Sequence, residues 1–419
     1  MAAIRVRPSG PLEGTVSVAG AKNSVLKLLA ATLLAPGEYV LHNVPGIQDV
    51  VWMGEVLERM GCTVERLDGR ALRVVRPAEI TPEAPYELVE RMRASIVVLG
   101  PLLASEGRAK VSLPGGDDFG SRPIDMHQKG LEALGARITM RHGYIEAEAT
   151  VLTGARIVLE YPSVGATENA LMAAVLAKGT TVIDNAAKEP EIWDLASFLN
   201  RMGANILGAG TSTITIEGVE RDALAGVTHT VVPDRVEAAT YLSAVAVAGG
   251  EITVAGARPE HMDNFTRKLG EMGMRISPDA DGLWARAPER LRAVDVATLP
   301  YPGVATDYKP FLTTMLAVAD GVGVVTENIF KGRFRYVDEL IRMGADVRTD
   351  DHHAIVRGVE RLSGAEVRAH DIRAGAALVI AGLRADGETV VHDAQHIARG
   401  YEDLPATLRS LGGDVELLD

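Results

Sequence analysis

Four cations stand where segments that read as wholly apolar helices begin: Lys22, Arg93, Arg235 and Arg373. A helix N-terminus carries roughly +0.5 of an elementary charge, so Lys or Arg there is disfavoured by a few tenths of a kcal/mol. A bound anion removes that cost, because backbone N–H groups and basic side chains then act on it together. A surface salt bridge accounts for any one of these residues; it accounts less well for four equivalent ones. The polar residues beside them, Asp234, Thr306, Asp371 and Ser163, also read as helix caps. The expectation is an anion-binding cleft between two domains, formed where helix starts converge.

A second candidate for chemistry is the run Leu113-Pro114-Gly115-Gly116-Asp117-Asp118-Phe119-Gly120-Ser121-Arg122-Pro123-Ile124-Asp125-Met126-His127. Its glycines and prolines predict a loop without regular hydrogen bonding, of a length that suits a lid. Adjacent Asp117 and Asp118 read as solvated turn residues or as a general acid, since two close carboxylates raise each other's proton affinity while Arg122 opposes the shift. Walker, Gly-x-Gly-x-x-Gly, His-Glu-x-x-His and nucleophile-elbow motifs are absent. His352-His353 is a bare pair in a charged turn, and the reading expects no metal and no cofactor.

The elements that must position these residues repeat six times. A glycine closes an amphipathic segment at Gly61, Gly135, Gly203, Gly273, Gly344 and Gly412, at intervals of 74, 68, 70, 71 and 68 residues by subtraction. A second series ends apolar segments at Gly37, Gly107, Gly179, Gly249, Gly321 and Gly387. The unit of ~70 residues is longer than the roughly 20–50 of solenoid repeats and fits a small α/β unit. Each unit holds two kinds of helix. One is apolar all round, as in residues 25–34, 95–104 and 170–177, and must be buried on every side. The other is amphipathic, as in 191–200 and 336–342. Short β-type runs such as Thr180-Thr181-Val182-Ile183-Asp184 lie between them. Wholly buried helices require sheets and one-faced helices around them, the reverse of a TIM barrel. The fold class is therefore α/β, with two inside-out α/β barrel domains of three repeats each. The break is expected near Val231-Val232-Pro233: one domain spans 21–232 and carries the loop 113–125, and the other is 1–20 plus 233–419.

Two domains also suit a chain of 419 residues. The net charge of −13 argues against a nucleic-acid backbone as partner, but a local cation cluster still serves a small anion. The single cysteine, Cys62, excludes an intrachain disulfide and reads as a structural thiol. No apolar run reaches the ~18 residues of a membrane span, and the start lacks a signal-peptide pattern, so no membrane partner and a cytoplasmic location are expected. No obligate protein partner is evident.

Ala19-Gly20-Ala21-Lys22-Asn23-Ser24, Arg93-Ala94-Ser95-Ile96, Pro114-Gly115-Gly116, Arg122-Pro123-Ile124-Asp125-Met126-His127, Ser163-Val164-Gly165-Ala166-Thr167, Pro233-Asp234-Arg235, Thr306-Asp307, Glu327-Asn328-Ile329-Phe330, Asp371-Ile372-Arg373 and Arg399-Gly400-Tyr401 follow one another in an order that resembles the UDP-N-acetylglucosamine 1-carboxyvinyltransferase family, and most closely its actinobacterial branch. The resemblance spans the chain. It implies the enolpyruvyl transferase fold, shared with the shikimate-pathway enzyme, and transfer of enolpyruvyl from phosphoenolpyruvate to the sugar 3-hydroxyl with release of phosphate. Addition is followed by elimination, in the first committed step of peptidoglycan synthesis. By matching motif, Lys22, Arg122 and Arg399 bind phosphoenolpyruvate, with Arg373 steadying its carboxylate side. Asn23, Arg93, Arg122, Pro123, Ile124, Asp125, Met126, Ser163, Val164, Gly165, Asp307 and Ile329 hold the UDP-sugar. Asp307 is the expected base, with Lys22 and Arg399 also in the catalytic set.

Two positions depart from the family pattern. Most members have cysteine where this chain has Asp117, the residue that protonates the methylene carbon and is alkylated by fosfomycin; aspartate also donates a proton, and its presence implies resistance to the drug. Ala398 stands where the family commonly has Asp, which leaves room for a paralogous enolpyruvyl transferase of specialised metabolism with another nucleotide acceptor. A non-catalytic UDP-sugar sensor is a third reading, opposed by the retention of Lys22, Asp117, Asp307 and Arg399.

Overall fold

A computed structural model describes residues 2–113, 115, 123–330 and 332–418. The chain divides into two compact units: one formed by Gly20–Gly116 with Pro123–Val232, the other by Met1–Ala19 with Pro233–Asp419.

In the first unit, alternating sequences such as Thr213–Glu217, with Ile214 and Ile216 fully buried and threonines between them, make strands with one covered face. Three four-stranded sheets share one wiring: a parallel edge pair followed by two antiparallel pairings. In the second sheet, for example, Glu83–Ala84 runs parallel to Arg108–Ser112, which pairs antiparallel with Tyr144–Glu148, itself antiparallel to Arg137–Arg141. The first sheet takes its parallel edge from the far end of the unit, where Thr228–Thr230 pairs with Gly37–His42, so the three repeats close on themselves.

The second unit repeats the wiring in three sheets, with a circular shift. Leu12–Ser17 is the parallel edge beside Gly250–Ala255, and Ala3–Arg7 lies between Thr389–His392 and Asp414–Leu418. The N-terminal strands thus complete two sheets of the C-terminal half.

The apolar helices lie where their composition requires. All eleven residues of Ile372–Gly382 are buried, as are Arg235 through Val247. In the second unit Arg235–Ala248, Lys309–Ala317 and Ile372–Gly382 pack on one another; in the first, Leu99–Glu106 packs on Val164–Ala174. Small residues allow the close approach. A Cβ on Gly100 would sit 2.4 Å from Asn169 O, and one on Gly382 would sit 2.9 Å from Val6 Cβ. Hydroxyls inside these helices are satisfied locally: Thr240 donates to Val236 O at 2.8 Å and Thr313 to Lys309 O at 2.9 Å. All twelve glycines of the two repeated series have φ between +69° and +159°, the region that only glycine adopts freely. The sequence period is therefore also a backbone period.

Candidate active site

The starts of the core helices gather the polar residues. In the first unit, helix Lys22–Ala31 begins after an extended Ala21 with no side-chain cap. It is anchored instead by Ser24, whose hydroxyl donates to Asp194 Oδ2 at 2.5 Å. Asp194 also pairs with His229 Nε2 at 2.8 Å and accepts from Val232 N–H at 3.2 Å, tying the helix start to the end of the unit. Lys22 Nζ lies 3.0 Å from Oδ2 of the fully buried Asp49, in the first turn of Gln48–Arg59. One turn on, Lys27 Nζ donates to Asn23 O at 3.0 Å and faces the buried Glu168 at 3.2 Å. Burial, only partly offset by Lys27, pushes Glu168 up to about 7.

Arg93 opens the turn Arg93–Val98, which packs on both Lys22–Ala31 and Val164–Ala174. Ser163 caps the latter helix, accepting from Ala166 N–H at 3.4 Å. Between them sits His127. Its Nδ1 lies 2.8 Å from Asn169 Nδ2, which also donates to Ile96 O, so Nδ1 is the acceptor and the proton belongs on Nε2. Burial first, and then the Arg93 charge, lower its pKa to about 4. A Cβ on Gly165 would meet His127 Cε1 at 2.9 Å and Nε2 at 3.1 Å, so only glycine lets this helix start touch the ring. Arg93, the 163–165 turn and the first turn of Asp125–Ala133, with exposed Asp125 and half-buried Met126, are thus brought together. Pro123 and Ile124 lead into that turn. Asp117, Asp118 and Arg122 lie outside the described residues.

In the second unit, Asp234 and Asp371 are caps, each accepting from two backbone N–H groups. Thr306 is not, contrary to the capping expectation. Its hydroxyl donates to Glu327 Oε2 at 2.7 Å and accepts from Arg333 Nη1 at 3.0 Å, because the turn Thr306–Tyr308 leads into the helix and Ala305 holds the cap position. Asp307, a quarter exposed, faces two buried guanidinium groups: Arg333 Nη1 at 2.9 Å and, at the longer distance of 4.0 Å, Arg373 Nε. Arg373 lies over the Tyr401 ring at 5.2 Å, and Tyr401 is fixed by Thr240 at 2.7 Å. A Cβ on Gly400 would sit 3.5 Å from Arg373 Nη1, so the Arg399-Gly400-Tyr401 turn lies directly on Arg373, with Arg399 itself buried. Arg235 donates to Tyr308 Oη at 3.2 Å. Ile329 follows a turn held by Glu327.

Site residues named from sequence therefore fall in two groups. Lys22, Asn23, Arg93, Pro123, Ile124, Asp125, Met126, Ser163, Val164 and Gly165 belong to the first unit. Asp307, Ile329, Arg373 and Arg399 belong to the second. Sequence reasoning missed the carboxylates that hold the cations, Asp49, Glu168 and Glu327, together with Asp194 and Arg333. The available signal was polarity out of place: Asp194 interrupts the buried face of Ile192, Leu195 and Leu199, and Glu168 sits inside an apolar helix.

Cations and carboxylates gathered at buried helix starts, on two units of three repeats, suit chemistry on phosphorylated substrates. The sequence pattern of the family described as EPSP synthase (3-phosphoshikimate 1-carboxyvinyltransferase) matches residues 6–408. The chain belongs to this family of enolpyruvyl transferases. Among its relatives, the UDP-N-acetylglucosamine 1-carboxyvinyltransferase of Nocardia farcinica is 54% identical over 410 residues, 97% of this chain and 96% of that one. The protein of the same name from Corynebacterium jeikeium is 53% identical over 405 residues, with the same coverage of each chain. The enolpyruvyl transferase NikO from Streptomyces tendae superposes with a TM-score of 0.89 at 26% identity, covering 99% of this chain and 98% of its own. An EPSP synthase from Acinetobacter baumannii, 18% identical, shares the fold over the whole of both chains with a TM-score of 0.76. These relatives bear out the resemblance read from the motifs.

Proposed function

We propose that this chain transfers enolpyruvyl from phosphoenolpyruvate to the 3-hydroxyl of UDP-N-acetylglucosamine, releasing phosphate. The observation that carries the reading is full-length similarity, above half identity, to two transferases named for that reaction. The NikO likeness, at about half that identity, is to a protein named only as an enolpyruvyl transferase, and another nucleotide acceptor stands as the weaker alternative.

In this reading Asp307 takes the proton of the attacking 3-hydroxyl as the oxygen adds to C2 of phosphoenolpyruvate. Asp117 delivers a proton to the methylene carbon. Loss of that proton with expulsion of phosphate then restores the vinyl group. Lys22, Arg122 and Arg399 bind phosphoenolpyruvate, with Arg373 at its carboxylate side. Asn23, Arg93, residues 122–126, Ser163 to Gly165, Asp307 and Ile329 hold the UDP-sugar. Guanidinium groups locked by burial, as Arg373 is, stabilise developing charge without reorganising. The two units serve as three-repeat inside-out barrels, 21–232 with the loop 113–125, and 1–20 plus 233–419. The reaction belongs to cytoplasmic peptidoglycan precursor synthesis, and hence to cell-wall growth, cell shape and division. No helix among the described residues is long and apolar enough to cross a membrane. Aspartate at 117 makes the enzyme resistant to fosfomycin.

Phosphate release from phosphoenolpyruvate, measured with UDP-N-acetylglucosamine, shikimate 3-phosphate or UMP as acceptor, tests the reading. Turnover with UDP-N-acetylglucosamine is expected. Turnover only with UMP would select the specialised enzyme, and none with any acceptor would leave the sensor.

A further inference from the structure

One buried carboxylate, Glu327, receives donors from three segments of the second unit. Its Oε1 accepts from Thr298 Oγ1 at 2.8 Å, Ile329 N–H at 2.7 Å and Phe330 N–H at 3.1 Å. Its Oε2 accepts from Thr306 Oγ1 at 2.7 Å and lies 2.9 Å from Lys309 Nζ. Both members of the Glu327–Lys309 pair are fully buried. Lys309 also donates to Arg333 O and stands 3.9 Å from the Phe334 ring centroid. The Thr306 hydroxyl that Glu327 holds accepts in turn from Arg333 Nη1, the nitrogen that grips Asp307 at 2.9 Å.

The two oxygens thus serve different ends. Oε1 shapes the turn that presents Ile329. Oε2 fixes Thr306, and through Thr306 and Arg333 the carboxylate of Asp307. Burial alone raises the pKa of Glu327, but Lys309 and these hydrogen bonds hold it below the ordinary value, so it accepts through both oxygens. An apolar pair of similar volume would offset the lost Lys309 attraction, since desolvation cancels much of a buried pair's gain, but it would strand the Thr298 hydroxyl and the Ile329 and Phe330 N–H groups. What it would lose is the fixed geometry of two turns.

We propose that Glu327 is a positioning residue for the transfer reaction, setting Asp307 through one oxygen and the Ile329 turn through the other, with Lys309 as its counter-charge. The inference rests on the reading in which Asp307 is the base and Ile329 meets the UDP-sugar.

Glu327→Gln separates the two oxygens. The amide carbonyl still accepts from the three Oε1 donors, but the NH₂ then faces Thr306 and Lys309. The expected result is a kcat lower by about tenfold to a hundredfold, since small misplacements of a reacting group cost that much. KM for UDP-N-acetylglucosamine and phosphoenolpyruvate stays within about threefold, because turns bonded through Oε1 keep their shape. Glu327→Gln also strands the Lys309 ammonium, so Glu327→Gln/Lys309→Met is measured beside it. The double variant should regain the lost Tm and keep the low kcat. A double variant with both Tm and kcat at wild-type values would overturn the proposal, as would a kcat that recovers in step with Tm. A wild-type enzyme inactive with UDP-N-acetylglucosamine would refute the functional reading and this inference with it; an active wild type with unaffected variants would refute the inference alone.

Discussion

Replacing Asp307 with Asn separates its two roles, as a partner of arginines and as a base. Asp307 is 27% exposed, whereas Arg333 and Arg373 are each 4% exposed. The substitution keeps the shape and one acceptor oxygen, so the Arg333 hydrogen bond at 2.9 Å persists, now from a cation to a neutral amide oxygen. What is lost is the charge–charge attraction to the two guanidinium groups, about 1–2 kcal/mol of stability once the partial exposure of Asp307 is allowed for. Substrate affinity should not fall. Both substrates are anionic, and removing a negative charge beside two guanidinium groups makes the locality more positive. Turnover should fall by about 10²–10⁴, the usual contribution of a positioned general base. Steady-state phosphate release at varied UDP-N-acetylglucosamine and phosphoenolpyruvate gives kcat and both KM values, and thermal unfolding gives stability. A kcat within threefold of wild type would refute the base assignment. A rise in both KM values with little change in kcat would make Asp307 a binding residue only.

Three further outcomes follow from the same geometry. His127 stays neutral in the fold, with its pKa lowered from 6.5 to about 4, so its contribution is present above pH 6.5 and is lost as pH falls toward 4, to a ceiling of about 3 kcal/mol. Glu168, raised from 4.5 to about 7, acts in the opposite sense over pH 4.5–7, so the difference in unfolding free energy between wild type and His127→Gln isolates the histidine, and a flat difference from pH 7 to 4 would contradict the placement. Gly165→Ala drives a methyl group against the His127 ring, with 2.9 Å to Cε1, and should raise KM for the UDP-sugar about tenfold, or about 1.4 kcal/mol, at nearly constant kcat; an unchanged KM would remove the 163–165 turn from the sugar site. Fosfomycin should not inactivate the wild type, because the one cysteine, Cys62, is buried and burial pushes its thiol up to about 11, while Asp117→Cys should become sensitive; rapid stoichiometric inactivation of wild type would count against the reading.

The repeats were legible because their punctuation is glycine, and glycine is used where no other residue fits. Gly61, Gly203 and Gly344 share both the local Arg-Met-Gly text and positive φ. Buried helices were legible because Ile372–Gly382 has no polar face to expose. The cations at helix starts were legible by charge, since Lys22 and Arg373 stand where a dipole disfavours them. Their partners were not. Asp49 lies 27 residues from Lys22 by subtraction, on another helix, and Glu327 lies beyond a whole strand from Lys309. Such pairings depend on how repeats fold onto one another, and no local period encodes that. Thr306 shows the same limit: its type and position fit a cap, but tertiary packing offers it Glu327 instead.

The partners change what the cations mean. An anion is not the only thing that can offset a positive side chain at a helix start, because the fold provides carboxylates: Asp49 for Lys22 and, at the longer distance of 4.0 Å, Asp307 for Arg373. The salt-bridge and anion-site readings are therefore not rivals. A buried carboxylate fixes a cation in one rotamer before any ligand arrives, and it also lowers the attraction left for that ligand. Affinity for a small phosphorylated substrate is traded for orientation. That trade suits an enzyme, which gains from groups held where charge develops in the transition state more than from tight binding of the ground state. It suits a passive UDP-sugar sensor poorly, since a sensor gains from affinity alone.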